Sequence, residues 1–95
     1  MERKLQSEII KWLRFEGAYV IKVRVSPGVA IGCPDIIALY GPKHTEIEVK
    51  ASSTAPFRIG QKATLQHLKK GNRYVYVAYP ENWPLIKQDL KTHFF

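Results

Sequence analysis

The chain has 95 residues and one cysteine, Cys33, which predicts one domain with a small core and excludes a disulfide framework or a cysteine zinc knuckle. Fifteen Lys and Arg residues against eight Asp and Glu give a net charge of +7, typical of a nucleic-acid binder, although a solvated basic surface would look the same. No apolar run reaches the roughly 18 residues of a membrane span, and residues 1–5 lack the apolar stretch of a signal peptide. We therefore expect no membrane partner and a reducing, cytoplasmic location.

The first third of the chain predicts a helix, a strand and a loop. Apolar side chains recur at helical spacing over residues 2–16, and Gly17 is a natural stop. Residues 18–25 predict a strand with apolar side chains on one face and basic ones on the other. Breaker residues crowd residues 26–34, which predicts a loop.

The rest of the chain alternates between strands and helices. The predicted elements are a strand at 35–40, a turn at 41–42, a strand at 45–50, a loop at 51–56, a helix at 58–70, a strand at 73–79 and a last helix that begins at Asn82. The fourth strand is apolar on both faces, so we expect it to be central in the sheet. Short turns predict an antiparallel meander of the first three strands, and the crossover helix makes strand four parallel to strand three. The predicted fold class is α/β, an αβββαβ core with a mixed four-stranded sheet flanked by helices, plus a C-terminal helix.

Acidic and basic side chains converge on strands two and three. Asp35 opens strand two, and Glu48 and Lys50 lie two residues apart on strand three, so the last two share a face. Because these strands are predicted neighbours, Asp35 could approach Glu48. The alternative is an ordinary amphipathic strand whose Glu and Lys side chains lie in water.

Converging carboxylates repel each other unless a cation lies between them. An oxygen-only ligand set suits Mg²⁺ or Mn²⁺ rather than zinc. Such an ion can bind a phosphate oxygen and lower the pKa of a water molecule. Lys50 beside it could orient that water or offset charge at phosphorus. In a basic protein, this predicts hydrolysis of phosphodiester bonds.

Two helices could contribute further polar groups. Gln61 falls on the apolar face of the second helix with Leu65, so it is predicted to point at the sheet, where its amide needs partners. On the first helix, Glu2 and Glu8 lie on or beside the apolar face, and either could reach the site. The alternative is that Glu2 stabilises the helix dipole and Glu8 is a boundary acid.

These residues resemble a known nuclease superfamily. The segments GCPDII at 32–37 and EIEVK at 46–50 look like the P-D…(D/E)-x-K core of the PD-(D/E)XK nucleases. More narrowly, the chain resembles the VRR-NUC domain, the virus-type replication-repair nuclease. The resemblance begins with ERKLQ at 2–6, passes through VSPG at 25–28, and ends with Gln61 and Gly71 in the second helix. It implies a restriction-endonuclease-like core.

The resemblance also implies roles for individual residues. The implied catalytic set is Asp35, Glu48, Lys50, Gln61 and Glu2, with Glu8 as the substitute for Glu2. Asp35, Glu48 and the main-chain carbonyl of Val49 would bind Mg²⁺ or Mn²⁺, and Lys50 would be the catalytic lysine. Glu2 would reach the metal through water or bind a second ion.

Small members of this family resemble Holliday-junction resolvases and are often encoded by phages or other viruses. The leading prediction is therefore a metal-dependent, structure-selective DNA endonuclease that resolves junctions. Since one small chain carries one site, paired incisions predict a homodimer. Aromatic side chains of strand four and the last helix, Trp83, Phe94 and Phe95 among them, could form its interface, the alternative being core packing.

Other functions stay open at this point. The same chemistry could serve a nickase, a flap endonuclease or a restriction-like enzyme. A non-catalytic basic DNA-binding module is a different class, and so is an RNA-binding protein that stacks bases on Tyr74, Tyr76 and Tyr79. The histidines at 44, 67 and 93 are too scattered for a zinc site and are predicted to lie on the surface.

Overall fold

The computed structural model describes residues 2–24 and 32–95. Its elements are α1 (Glu2–Phe15), β1 (Tyr19–Lys22), β2 (Ile36–Tyr40), β3 (Lys43–Val49), α2 (Gln61–Gly71), β4 (Val75–Ala78), α3 (Trp83–Asp89) and a π-helical turn (Leu90–Phe94) that continues α3. This mixed α/β order confirms the predicted core. The first strand is shorter than predicted, and the VSPG segment and most of the predicted loop at 26–34 lie outside the described residues. Within the described ranges, no helix is long and apolar enough to cross a membrane.

The four strands form one mixed sheet in the order β1-β2-β3-β4. β1, β2 and β3 are antiparallel neighbours, and β4 runs parallel to β3, which confirms the predicted meander and crossover. The prediction that the fourth strand is central is wrong, because β4 is an edge strand and β3 lies between two neighbours. Both α2 and α3 contact β4. The apolar side chains of β4 are therefore explained by the two helices that cover this strand, not by neighbouring strands on both sides.

The hydrophobic core lies between one face of the sheet and the helices α1 and α3. Ile9, Leu13, Ile36 and Ile47 are fully buried there. Trp12 packs edge-to-face on both Trp83 and Phe95, with ring centroids 5.6 and 5.5 Å apart.

The C-terminal aromatic residues belong to this core and are not a free surface. Trp83 and Phe94 are buried, and Phe95 is half-buried against the same cluster. The predicted dimer interface through these side chains is wrong, because the small protomer uses them to complete its own core.

The described residues cover only about half of the opposite face of the sheet. α2 packs on β4 at one side. Glu46 and Glu48 of the neighbouring strand β3 are buried next to α2. At the other side, the first strand turns Val20 to the core, while Tyr19, Ile21 and Leu39 remain exposed. Tyr19 pairs with Leu39 across the strands, so these side chains form one apolar patch on β1 and β2.

Candidate active site

The charged residues at the end of β3 are buried. Glu48 is 2% exposed and Lys50 is 6% exposed, which contradicts the alternative of an amphipathic strand with these side chains in water. Burying charged groups is unfavourable unless they are paired. A buried carboxylate and ammonium at a strand end are therefore a candidate functional site.

Asp35 lies directly opposite Glu48 across the β2–β3 pair. Ile36 pairs with Ile47, so the antiparallel register brings the preceding residue, Asp35, next to Glu48. On the other side of β2, the Val23 amide, just after β1, donates to the Asp35 carbonyl at 2.8 Å. The Asp35 side chain accepts a hydrogen bond from the Val49 amide through Oδ2 at 2.8 Å. The predicted approach of Asp35 to Glu48 is confirmed, and the backbone of β3 fixes the orientation of the Asp35 carboxylate.

Lys50 uses its ammonium to connect the strand end to the following loop. Nζ donates to the Pro56 carbonyl and to Gln61 Oε1, both at 2.9 Å, and lies 3.4 Å from Glu48 Oε2. Gln61 is fully buried, and its Oε1 also accepts from the Arg58 amide at 3.2 Å. The prediction that Gln61 points at the sheet is confirmed, and its role here is to hold the lysine and the loop together.

Burial and the neighbouring Asp35 carboxylate raise the pKa of Glu48 to about 7. Lys50 and Arg58 act in the opposite direction, as does the nearby carboxamide of Gln61. Glu48 Oε1 is buried and has no hydrogen-bond partner among the described residues. The Arg58 guanidinium lies near this oxygen, with Nη2 at 3.7 Å, beyond hydrogen-bond distance.

These observations fit a hard divalent cation. A buried carboxylate oxygen without a hydrogen-bond partner, close to a second carboxylate, can be satisfied by a metal ion. Mg²⁺ is commonly held by one or two carboxylates, with water and phosphate completing the shell. Asp35 and Glu48 are the side chains in place to hold it. The main-chain carbonyl of Val49 lies between Glu48 and Lys50 in the chain and is the third implied ligand.

The two acids of α1 are not brought into this cluster by the described contacts. Glu2 and Glu8 are both exposed, and neither contributes to the raised pKa of Glu48. Across residues 2–24 and 32–95, no three His, Cys, Asp or Glu side chains form a metal-binding group. The structure therefore assembles four of the predicted site residues, Asp35, Glu48, Lys50 and Gln61.

Glu46 is the other buried acid of β3, and both of its carboxylate oxygens have hydrogen-bond partners. Its Oε2 lies 2.6 Å from His44 Nδ1, and its Oε1 accepts from Asn72 Nδ2 at 3.1 Å. Asn72 also donates to the His44 carbonyl at 2.6 Å. This cluster ties the end of α2 to the sheet and leaves no orphaned carboxylate oxygen, in contrast to Glu48. The three histidines are exposed, as predicted.

Sequence reasoning missed Arg58, which is part of the site. Its Nη2 donates to the Cys33 carbonyl at 3.2 Å while lying near Glu48. Arg58 lies in an irregular loop with no periodic pattern. Only its position between the motif lysine and Gln61 could have indicated it.

Gly32 lets the turn before Asp35 dock on the start of α2. It has a φ of +77°, and a Cβ there would lie 2.6 Å from the Gly60 carbonyl oxygen and 2.7 Å from Gln61 Cα. A side chain at this position would push away the backbone that carries Gln61. The glycine is therefore required by both its backbone conformation and its contact.

If the site hydrolyses phosphodiester bonds as the sequence predicts, we expect Gly32→Ala to reduce this cleavage by at least about tenfold. Groups that only support metal ligands already contribute roughly 10–100-fold to metal affinity or activity. Gly41→Ala is the matched control, because Gly41 also has a positive φ, +58°, but a Cβ there meets nothing within 4 Å. Both variants should lose about 1–3 kcal/mol of stability from backbone strain. Equal cleavage rates for two folded variants would contradict the docking role of Gly32.

A family model for archaeal Holliday junction resolvases (Hjc) matches residues 1–93. The chain belongs to this family. Hjc proteins are a PD-(D/E)XK-type nuclease family, so the broader resemblance is confirmed, and the motif residues Asp35, Glu48 and Lys50 are the ones that meet in the site. The narrower likeness to the VRR-NUC domain stays a resemblance of motifs. No curated protein matches the chain.

Proposed function

We propose that the protein is a metal-dependent Holliday-junction resolvase that hydrolyses phosphodiester bonds with Mg²⁺ or Mn²⁺. Asp35, Glu48 and the Val49 carbonyl would hold the ion. The observation that carries this proposal is the buried Glu48 carboxylate, which faces Asp35 and Lys50 with one oxygen unpartnered, in a chain of the Hjc family. A non-catalytic DNA-binding module would gain nothing from burying two neighbouring carboxylates with one oxygen left without a hydrogen bond.

Bound at this site, the ion would supply Lewis acidity and lower the pKa of a water molecule. The protein supplies the orientation. The Val49 amide fixes the Asp35 carboxylate, and the Pro56 carbonyl and Gln61 fix the Lys50 ammonium. A fixed cation beside the carboxylates stabilises the negative charge that develops at phosphorus, at no cost of reorganisation.

Glu2 remains the proposed first-helix acid, with Glu8 as its substitute. Both lie on exposed surface of α1, so either would join the site through water or a second ion rather than through a described contact. The chain's net charge of +7 supports binding to the DNA backbone.

The RNA-binding alternative loses its basis. Its stacking platform needed free tyrosine rings on the fourth strand, but Tyr76 donates to the Asp89 carboxylate and Tyr74 donates to the His93 carbonyl at 3.1 Å. Tyr74 and Tyr76 are also packed against the core. These rings attach β4 to the last helix.

The test is cleavage of four matched DNAs of the same sequence with Mg²⁺ or Mn²⁺: a four-way junction, a flap, a linear duplex and a single strand. We expect the junction to be cut fastest, with paired incisions on opposed strands. Preferential cutting of the flap, or single nicks in duplex, would assign the same chemistry to a flap endonuclease or nickase. A restriction-like enzyme would instead cut the linear duplex.

Paired incisions require two sites, and we propose that the exposed patch on β1 and β2 joins two protomers. Tyr19 is 71% exposed, and Ile21 and Leu39 are each about 40% exposed, an apolar surface that a symmetric partner could cover. We expect a homodimer at micromolar concentration by sedimentation equilibrium, and dissociation in Ile21→Glu. The control Leu85→Glu changes an exposed residue of α3 and should stay dimeric. A wild-type protein that is monomeric even on junction DNA would contradict the dimer.

A further inference from the structure

Arg58 lies at ion-pair distance from Glu48 without a hydrogen bond to it. The guanidinium Nη2 lies 3.7 Å from Glu48 Oε1, too far for a hydrogen bond, and donates instead to the Cys33 carbonyl at 3.2 Å. The side chain is 45% exposed. The arginine is therefore close enough to lower the pKa of Glu48, and within the described ranges its guanidinium donates one hydrogen bond, to a neutral carbonyl.

The two cations near Glu48 differ in how many donors they have left. The ammonium of Lys50 has three N–H groups, and three acceptors surround it: the Pro56 carbonyl, Gln61 Oε1 and Glu48 Oε2. The guanidinium of Arg58 has five, and one described side-chain hydrogen bond, to Cys33, uses one of them. Among the contacts of the described residues, Arg58 thus has donors left over beside Glu48, in the fork geometry that suits a phosphate.

A divalent cation bound by Glu48 would compete with this arginine. Two positive charges cannot both lie against the same carboxylate oxygen without repulsion, and Lys50 is fixed whereas Arg58 is partly exposed. The group that moves is therefore Arg58. The guanidinium lies beside the proposed metal site before it moves. The nearest anion of a bound DNA substrate would therefore be a backbone phosphate next to the bond to be cut.

We propose that Arg58 changes partner when the metal binds: it neutralises Glu48 in the metal-free protein and contacts a backbone phosphate of the substrate in the metal-loaded protein. The inference rests on the proposed function. It makes metal loading and DNA binding interdependent through one side chain, because the metal releases the donor that grips the strand.

The first arm of the test measures Mn²⁺ binding alone, by isothermal titration calorimetry at pH 8. Arg58→Gln removes the charge and, because its side chain is shorter, also the Nη2 bond to the Cys33 carbonyl. The loop keeps its other contacts, from Lys50 to the Pro56 carbonyl and from the Arg58 amide to Gln61 Oε1. We expect this variant to bind Mn²⁺ about two- to fivefold more tightly, the range of a partly exposed ion pair. Arg58→Lys keeps the charge and should stay near wild type. Equal or weaker Mn²⁺ binding by Arg58→Gln would overturn the proposal.

The second arm measures junction binding by fluorescence anisotropy against salt, in Ca²⁺ and in EDTA. Each phosphate contact contributes about −0.9 to the slope of log affinity against log salt. We expect the slope for Arg58→Gln to be shallower than that of wild type by about 0.9 in Ca²⁺ and almost unchanged in EDTA. Lys62→Ala is the matched control, since Lys62 is an exposed basic residue of α2, and any loss there should be the same in both conditions.

The outcomes separate this inference from the proposed function. If wild type cleaves junctions but Arg58→Gln loses the same slope in Ca²⁺ and EDTA, Arg58 is a constant DNA contact and the exchange is wrong. If it loses no slope in either condition, the exchange is also wrong. If wild type binds no Mn²⁺, both the metal site and the exchange fail. If Mn²⁺ binding tightens as expected but no junction is cut, the counter-ion role stands and the resolvase proposal fails.

Discussion

Replacing Glu48 with Gln is expected to abolish DNA cleavage and the binding of a divalent cation. Glutamine keeps the shape of the side chain but cannot carry the charge that the cation requires. Removing a group that only supports a metal ligand lowers metal affinity or activity by about 10–100-fold. Removing the ligand itself should therefore lower both by more than about 100-fold. Cleavage of a labelled junction and Mn²⁺ calorimetry measure the two effects, and near-normal cleavage would remove Glu48 from the catalytic set.

The same substitution should stabilise the metal-free protein at alkaline pH. The folded pKa of Glu48, about 7, lies above the ordinary value of 4.5, so the folded state holds a proton that the unfolded state has released between these values. Stability of the wild type therefore falls as pH rises from about 4.5 to 7. Glutamine resembles the protonated carboxyl, so the variant should not lose stability over this pH range.

Urea unfolding in EDTA at pH 5 and pH 8 measures this difference. At pH 8 we expect Glu48→Gln to exceed wild type by about 1–3 kcal/mol, with a smaller difference at pH 5. Adding Mn²⁺ should stabilise wild type and leave the variant unchanged, because only a protein that binds the ion gains from it. Identical pH dependences for the two proteins would contradict the raised pKa of the buried Glu48 carboxyl.

Lys50→Ala is expected to abolish cleavage for a different reason, with metal binding retained. The variant loses the fixed cation that faces the developing charge at phosphorus; removing one donor of an oxyanion hole costs about 10²–10³-fold in rate, and we expect a loss of at least this order. It also leaves the Pro56 carbonyl and Gln61 Oε1 without the ammonium donor, which should lower stability by about 1–3 kcal/mol. Single-turnover cleavage, Mn²⁺ calorimetry and urea unfolding separate these three effects.

Lys43→Ala is the control for Lys50→Ala. Lys43 begins the same strand and also donates to two main-chain carbonyls, those of His93 and Phe94, at 3.2 and 3.1 Å. Its removal should cost stability without affecting chemistry. A Lys50→Ala protein that cleaves as fast as Lys43→Ala would exclude the catalytic role of the lysine.

Local patterns predicted most of the site because the chemistry lies on regular elements. The spacing of Glu48 and Lys50 placed both on one face of a strand, and the register of a short-turn meander brought Asp35 opposite them. The helical period placed Gln61 toward the sheet. Each of these inferences needs only the repeat of one element and the identity of its neighbour.

Features that depend on tertiary packing could not be predicted. An apolar fourth strand is compatible with a central position or with an edge covered by two helices, and the protein uses the second. Trp83 and Phe94 look the same in sequence whether they meet a partner or their own core. Arg58 reaches Glu48 from an irregular loop, whose path follows from the contact between Gly32 and Gly60 rather than from a periodic pattern.

The most direct measurement of the central claim is cleavage of a labelled four-way junction by wild type and by Asp35→Asn, with Mg²⁺ or Mn²⁺ and with EDTA. Asparagine can still accept the Val49 amide bond, so the fold should be kept while one proposed ligand charge is lost. The account predicts paired incisions by wild type only with a divalent ion, and none by the variant. Junction cleavage in EDTA, or by Asp35→Asn at the wild-type rate, would contradict it.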